Sequence, residues 1–295
     1  MSSETLADRI TWPEESDAAS PRPRRWLPFS PWHLFLVPFS LLMLLPLIWM
    51  VVTSLETQKE SLLFPPTLVP KSLEFSNYPH ALSAAPFPRW FLNTVIVTVA
   101  VVISNLFLCS LAGYAFARIR FFGREVTFLA LMATLMVPFP VVMIPTFLIV
   151  KSLGMFDSLA ALIVPNLVNV FGIFMLRQFF RTLPVELEEA ARIDGASRLS
   201  VLFKIVLPLS LPALATLAVI QFMWTWNDFL WPLIAIFSER NFTLQLGLTV
   251  FQTSHTTNWP LLMAGNVMTM IPMLVLFFAA QRYFVRGIAT TGLKG

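Results

Sequence analysis

The sequence predicts an all-α integral membrane protein with six transmembrane helices and both termini in the cytoplasm. The first observation is composition. Hydrophobic residues make up 57% of the chain and charged residues only 12%, so a soluble globular domain of 295 residues is excluded because it could not bury this much apolar surface. The second is a set of six apolar runs, and the third is an uneven distribution of basic residues.

Each apolar run has 18 residues or more, which is the length that a helix needs to cross ~30 Å of hydrocarbon. The predicted spans are 34–52, 91–115, 126–150, 159–176, 211–237 and 261–284. They form one transmembrane domain, 31–284, between a polar tail at 1–30 and a second tail at 285–295. A cleaved signal peptide is not expected, because the first run begins late and lacks a small-residue cleavage site after it.

Basic residues set the predicted orientation. Five of the 20 Lys and Arg residues fall on one side of the predicted membrane and the other fifteen fall on the side of the N-terminus. The five are Lys59, Lys71, Arg89, Lys151 and Arg240. By the positive-inside rule, both termini and the loop 182–208 are therefore cytoplasmic. The net charge of +4 follows from this topology, and no nucleic-acid partner is expected.

The two long outer loops and the prolines inside spans predict irregular structure. The loop 53–90 carries six prolines, so turns and not long helices are expected there. The loop 238–260 alternates apolar and polar residues over 242–248, which allows either a short strand or an interfacial segment that dips into a cavity. The third span contains three prolines and the fourth contains Pro165, so both are predicted to be kinked or broken.

The segment between the fourth and fifth spans is polar and predicts two short helices. Thr182 is expected to cap a helix with Pro184 in its first turn, where three glutamates complement the helix dipole. Gly195 is expected to end that helix in a left-handed conformation. Ser197 is then expected to cap a second helix that runs to Pro208.

The small side chains of Ala190 and Ala191 allow this helix to approach another surface closely, which suits docking into a groove of a partner protein. The segment resembles the Glu-Ala-Ala coupling loop of the membrane subunits of ABC importers, in which a Gly follows after three residues and Ile-x-Leu-Pro after nine more. The residues assigned to ATPase coupling are Glu189, Ala190, Ala191, Asp194, Gly195, Ile205, Leu207 and Pro208.

The resemblance implies the fold of a type I ABC importer permease and a set of partners. These are a second homologous permease subunit, a dimer of ATP-binding subunits and an extracytoplasmic solute-binding protein, in addition to membrane lipid. It also implies that ATPase closure pushes the helices of 184–207 as a rigid body, tilts the third to fifth spans and switches a midplane cavity from inward-facing to outward-facing. The C-terminal stretch 286–295 resembles the Gly-rich tail that reaches into the ATPase dimer of maltose-type importers.

Polar residues inside spans are candidates for the translocation path. Asp228 is the only acidic residue that lies deep within a predicted span, where a carboxylate costs ~2.5–3.5 kcal/mol on insertion scales. Indole faces beside Asn and Asp suit sugar rings, and this run resembles the Trp-Asn-Asp/Glu-Phe segment of sugar-importer permeases. Contact with a neighbouring helix is an equally open role. The path candidates are Trp224, Trp226, Asn227, Asp228, Asn166, Asn169 and Asn266, with Gln221 and Thr269 as further intramembrane polar groups.

No catalytic or metal-binding apparatus is visible in the sequence. Cys109 is the only cysteine, the three histidines are dispersed without metal-ligand spacing, and no Ser-His-Asp arrangement or carboxylate pair occurs at one membrane depth. No Gly-x4-Gly-Lys-Ser/Thr phosphate loop is present, so the chain is expected to bind no cofactor and to leave ATP hydrolysis to a partner subunit.

The resulting hypothesis is a permease subunit of a carbohydrate ABC importer in the cytoplasmic membrane, similar to the smaller permease of the maltose-transporter type. Importers for glycerol-phosphate or polyols share this architecture and remain an alternative. Two other classes stay open from the residues alone. One is a proton-coupled secondary carrier with Asp228 as its titrating group, which should show an internal repeat. The other is a membrane scaffold.

Overall fold

The computed structural model describes Ser30, residues 32–65, 69–252 and 257–291, with side chains as far as Gln281. Two compact units are present, 1–46 and 47–295. The tail predicted at 1–30 lies outside the described residues apart from Ser30. Of the tail predicted at 285–295, only the backbone to Thr291 is described, and it continues the last helix.

The described residues form helices joined by turns, with no β-strand among them. The helices, in chain order, are α1 His33–Ser54, α2 Asn77–Ala84, α3 Phe87–Arg118, α4 Arg124–Thr134, α5 Phe139–Ser152, α6 Leu159–Ile163, α7 Val170–Thr182, α8 Glu186–Ile193, α9 Arg198–Val201, α10 Leu207–Leu209, α11 Leu211–Trp226, α12 Leu230–Ala235, α13 Leu244–Gly247 and α14 Trp259–Thr291. In the first unit, the apolar side chains of α1 are exposed, as expected for a helix in lipid.

Four segments are long and apolar enough to cross a membrane, and two bent pairs raise the number to six. The four are α1, α3, α6 with α7, and α14. The bent pairs are α4 with α5, at 100°, and the 198–209 segment with α11, at 80°. The six-helix membrane fold is therefore confirmed, but three of the spans are not single straight helices.

The predicted breaks in the third and fourth spans are present. The third span bends where Pro138 precedes α5, because a proline cannot donate the backbone hydrogen bond that would continue α4. In the fourth, Pro165 lies in a 3₁₀ turn between α6 and α7. The fifth span differs from the prediction, since 211–237 is interrupted at 227–229 between α11 and α12.

The core of the second unit is built around α3, which packs on α7 and α11. A Cβ atom on Gly113 would lie 3.1 Å from the Cβ of Leu176 and 3.2 Å from the backbone nitrogen of Arg177, so this glycine lets α3 and α7 approach closely. Buried apolar side chains from α3, α7 and α11, including Cys109, Leu176 and Leu217, fill the interface.

The two loops predicted to face outward are ordered by short helices. The loop 53–90 contains a 3₁₀ turn at Glu60–Leu62 and the eight-residue α2, which agrees with the expectation of no long helix. In the loop 238–260 the strand alternative is wrong. Leu244, Leu248 and Phe251 are buried in α13 and the following 3₁₀ turn, where they pack with Trp90.

Asp157 clamps the turn between α5 and α6 to the segment that follows α12. Its carboxylate accepts hydrogen bonds from the backbone N–H groups of Phe237 at 2.9 Å and Ser238 at 2.8 Å, and from the Ser238 hydroxyl. Burial acts to raise the pKa of Asp157, but these donors outweigh it and lower the pKa to about 2. The clamp therefore depends on the ionised carboxylate.

A pH test follows from this depressed pKa. The stabilisation by Asp157 should be fully present above the ordinary pKa near 3.8 and should be lost as the pH falls through about 2. In Asp157→Ala at neutral pH, hydrogen exchange of the peptide containing Phe237 and Ser238 should be about three- to tenfold faster than in the wild type. The ratio of the exchange rates of variant and wild type should fall towards one below pH 4. Glu239→Ala changes an exposed neighbouring residue and should exchange at the wild-type rate at every pH. Equal exchange at pH 7 would contradict the clamp.

Candidate functional site

The loop 182–208 ends its first helix as the sequence predicts. Gly195 has a φ of +84°, and beyond its chain neighbours no described atom lies within 4 Å of the position that a Cβ would take. The glycine is therefore required by backbone conformation and not by crowding. Ser197 accepts a hydrogen bond from the backbone N–H of Ser200 at 3.2 Å and caps α9, which continues through a π-helical turn at Leu202–Val206 into α10.

The predicted start of the first helix is wrong. Thr182 is the last residue of α7, and its hydroxyl donates to the carbonyl of Phe179 at 2.7 Å. Pro184 precedes α8, whose N-cap is Val185 with no side-chain hydrogen bond. The fourth span runs further than its apolar run indicated, because Arg177 in α7 is buried and paired. The Thr-x-Pro signal therefore marks a helix end.

The residues assigned to coupling divide into an exposed and a packed set. Glu189, Ala190, Asp194, Gly195 and Pro208 are exposed. Ala191 and Leu207 are half-buried and pack against the α3–α7–α11 core, and Ile205 is also half-buried. Ile193 is 87% exposed next to the exposed set, which is unusual for an isoleucine beside a compact bundle. The surface available to a partner is therefore the face that carries Glu189, Ile193 and Gly195.

Glu188 holds α8 to the end of α3. One carboxylate oxygen lies 2.7 Å from Nε of Arg118, and the other accepts a hydrogen bond from the Tyr114 hydroxyl at 3.0 Å. Arg118 also donates to the carbonyl of Leu183 at 2.6 Å. From the sequence, Glu188 was predicted only to be one of three glutamates near the start of a helix. No local signal identifies its partner, because Arg118 is 70 residues away.

A cavity of about 550 Å³ lies among the broken helices of the second unit. Its walls come from α3, α5, the turn between α6 and α7, α11 and α12. The lining residues are Val97, Phe139, Val142, Thr146, Leu162, Pro165, Asn166, Asn169, Gln221, Trp224, Thr225, Asp228, Trp231, Pro232 and Thr243. Among the described residues that line the cavity, Asp228 is the only one that can carry a charge.

Four of the predicted path residues line this cavity. They are Asn166, Asn169, Trp224 and Asp228, and Gln221 joins them. Sequence reasoning missed three threonines that line the cavity, Thr146, Thr225 and Thr243. Gln221, Thr225 and Asp228 are spaced by four and three residues, which places them on one helical face, so counting back from Asp228 identifies Thr225. The Thr243 hydroxyl is buried without a protein partner among the described residues and is free to bind a ligand hydroxyl or water.

Asp228 occupies the break between α11 and α12 and not the middle of a continuous helix. Its Oδ1 accepts a hydrogen bond from the backbone N–H of Trp231 at 3.4 Å, in the first turn of α12.

One face of the cavity is aromatic. Trp224 is half exposed, and Trp231 is held by a hydrogen bond from its indole N–H to the carbonyl of Ala161 at 2.9 Å.

The other three path candidates point elsewhere. Trp226 is buried, donates its indole N–H to the carbonyl of Thr269 at 3.1 Å and stacks on Phe222. Asn227 donates to the carbonyl of Met223 at 2.8 Å and accepts from Gln245 at 3.5 Å. Asn266 lies in a separate groove with Gln245 and Trp259. These three residues therefore do not line the cavity that holds Asp228.

Polar side chains also hold the cavity wall in place. Asn169 caps α7 by accepting from the backbone N–H of Phe171 at 2.8 Å, and its amide donates to Gln221 at 3.4 Å. Gln221 in turn donates to Thr225 at 3.2 Å. Asn105 of α3 donates to the backbone carbonyl of Asn166 at 2.7 Å. Asn169 therefore both satisfies the interrupted backbone and lines the cavity.

Comparison with known proteins agrees with this architecture. The family "Binding-protein-dependent transport system inner membrane component" matches residues 107–290. The arabinooligosaccharides transport system permease protein AraQ of Halalkalibacterium halodurans is 37% identical over 253 residues, which cover 85% of this chain and 91% of the relative. The sn-glycerol-3-phosphate transport system permease protein UgpE of Pectobacterium atrosepticum is 36% identical over 265 residues, which cover 87% of this chain and 94% of the relative.

A solved structure of a bacterial ABC transporter involved in the import of the acidic polysaccharide alginate contains a similar chain. It superposes with a TM-score of 0.77 at 27% identity, over 87% of this chain and 99% of that one. Together with the family match and the membrane helices, these likenesses confirm the type I ABC importer permease fold and a multi-pass membrane location. The chain belongs to the binding-protein-dependent transport system inner membrane component family, the permease subunits of ABC importers.

Proposed function

We propose that this permease carries a neutral carbohydrate across the cytoplasmic membrane, driven by a separate ATPase that docks on the loop 182–208. The observation that carries the proposal is the shape of that loop. Its signature residues Glu189, Ala190 and Gly195 are exposed, while Glu188, Ala191 and Leu207 hold it to the core. A loop that is rigidly held and also presents an exposed, specific surface is suited to take a load from a partner.

The partners proposed from the family are a second permease, an ATP-binding dimer and an extracytoplasmic binding protein. The family description itself specifies dependence on a binding protein. The excess of basic residues supports a cytoplasmic location for the loop 182–208 and both termini, on the side where ATP is available. Exposed apolar residues on α5, such as Val141, Ile144 and Leu148, offer a surface for lipid or for the second permease.

The cavity supports a sugar as the solute. Its volume of about 550 Å³ lies in the range of small-molecule sites. The half-exposed indole of Trp224 can cover the apolar C–H face of a sugar ring. Asp228, Gln221 and the unpaired Thr243 hydroxyl provide donors and acceptors for ring hydroxyls.

The charge of the cavity argues against a phosphate ester. The relative UgpE is named for sn-glycerol-3-phosphate transport, but the one ionisable group among the described cavity residues is the carboxylate of Asp228. A phosphate would meet an acidic side chain and no cationic side chain among the described residues that line the cavity. A neutral sugar or polyol is therefore favoured over glycerol-phosphate.

Gly195→Pro tests the coupling loop. Proline restricts φ to about −65°, whereas Gly195 needs +84°. In vesicles that hold the complete complex, the variant should therefore lower ATP-dependent uptake by at least about tenfold. Glu189→Lys should have a similar effect, because it reverses the charge on the exposed face.

The matched control is Gly195→Asn, because asparagine tolerates the left-handed conformation and should retain most of the activity. In every sample that shows uptake, uptake should require ATP on the side of the vesicle membrane where the loop 182–208 lies. Uptake driven by an imposed pH gradient without ATP would instead support the proton-coupled carrier.

Asp228→Asn tests contact with the solute. Loss of a hydrogen bond to a charged acceptor should raise the apparent KM for the transported sugar by about 10- to 100-fold, with a smaller change in maximal rate. Trp224→Ala should act in the same direction. Glu239→Gln, a carboxylate-to-amide change on an exposed turn, is the control and should leave KM unchanged. An unchanged KM and specificity in Asp228→Asn would exclude the contact.

A further inference from the structure

The contact between Arg118 and Glu188 is unusually secluded for a charge pair near a docking surface. The side chains are 15% and 9% exposed, and the charged groups are 2.7 Å apart. The Tyr114 hydroxyl donates to the second carboxylate oxygen of Glu188, and Arg118 also donates to the Leu183 carbonyl. Such a pair does not open and close readily, because separating the partners would leave an uncompensated buried charge.

The helix that provides Arg118 is the one unbroken span in the cavity wall. α3 runs from Phe87 to Arg118 without interruption, whereas the other spans that line the cavity are broken at 135–138, 164–169 and 227–229. Val97 of α3 lines the cavity, and it lies roughly 30 Å along the helix from Arg118 at 1.5 Å per residue. A displacement of the Arg118 end is therefore transmitted to the cavity by a stiff element.

A second buried cation joins the neighbouring helices to the same end of α3. Arg177 of α7 donates to the carbonyl of Phe116 at 3.3 Å and to the carboxylate of Glu125 at 2.9 Å. Its guanidinium also lies 3.8 Å from the centre of the Phe128 ring in α4. The inner ends of α3, α4 and α7 thus form one block, and Glu188 is the charged residue of α8 that attaches to it.

From these contacts we infer that Arg118 and Glu188 are positioning residues that deliver the displacement of α8 directly to α3. Force then reaches the cavity wall along α3 without passing through the chain connection at Leu183–Val185. The inference rests on the proposed function, since it requires an ATPase that pushes on α8. Removing the pair should uncouple ATP hydrolysis from solute movement while the exposed docking face stays intact.

The test uses the complete complex in vesicles and measures solute molecules transported per ATP hydrolysed. Glu188→Gln and Arg118→Gln should each lower this ratio by about fivefold or more, in the range of coupling between distant sites. A single change leaves one buried charge and can prevent folding. The decisive variant is therefore the double change Arg118→Met with Glu188→Leu, which replaces the pair by apolar side chains of similar length and should fold.

Arg118→Lys, which keeps a cation beside Glu188 and an N–H donor for the Leu183 carbonyl, should hold the ratio within about threefold of the wild type. Glu239→Gln removes a carboxylate from an exposed turn outside the loop 182–208 and is the control, with an unchanged ratio expected. A fluorophore on Val99→Cys, at an exposed position of α3, should report an ATP-dependent change in the wild type and lose it in the double variant.

Cross-linking separates this inference from the proposed function. A cysteine at Ile193, which is 87% exposed on the docking face, should capture the ATPase subunit in the otherwise wild-type chain and in the double variant, and Cys109 does not compete because it is fully buried. Capture in both with a reduced ratio in the double variant supports the inference. Capture in both with a wild-type ratio overturns the inference alone. No capture in the wild type overturns the proposed function and, with it, the inference.

Discussion

The constraint on which the fold depends is that broken helices in a low-dielectric bundle must have every freed backbone group satisfied by protein. Side chains of α3 meet this requirement along its length. Thr94 accepts a hydrogen bond from the backbone N–H of Leu244 at 2.8 Å. Asn93 donates to the backbone carbonyls of Arg240 and Phe242. Asn105 and Cys109 donate to the carbonyls of Asn166 and Asn169. An unbroken helix with polar residues along one side thus allows its neighbours to be irregular.

The same irregularity creates the cavity. Helix breaks bring short polar side chains and aromatic rings to one level of the bundle, and their hydrogen bonds to backbone fix the side-chain positions. Asp228 shows how a helix break lowers the cost of placing a carboxyl group in the bundle. A carboxylate in the middle of a helix has no nearby donor because the backbone groups are paired, whereas at the break it accepts from the free N–H of Trp231. The cost of placing a charge there is therefore reduced, and the residue stays beside the cavity.

The loop 182–208 combines two opposite environments within consecutive residues. Glu188 is buried against Arg118 and Tyr114, while Glu189 is exposed. Adjacent positions on a helix point about 100° apart, so one glutamate can anchor α8 while the next remains available to a partner. The positive φ of Gly195 then turns the chain away so that α9 can begin at Arg198. Helix geometry alone therefore lets Glu188 anchor α8 to the core while Glu189 stays exposed for a partner.

The sequence by itself determined the membrane class, the approximate spans, the proline breaks in the third and fourth spans, and the turn at Gly195 and Ser197. These features depend on hydropathy and on the conformational preferences of single residues, which are local properties. The tertiary structure alone decided that the fifth span breaks at 227–229, that Thr182 ends a helix and that Trp226 and Asn227 do not line the cavity that holds Asp228. It also decided that Glu188 pairs with Arg118, because the partners of a buried charge are set by which helices meet, and no pattern within one segment carries that information.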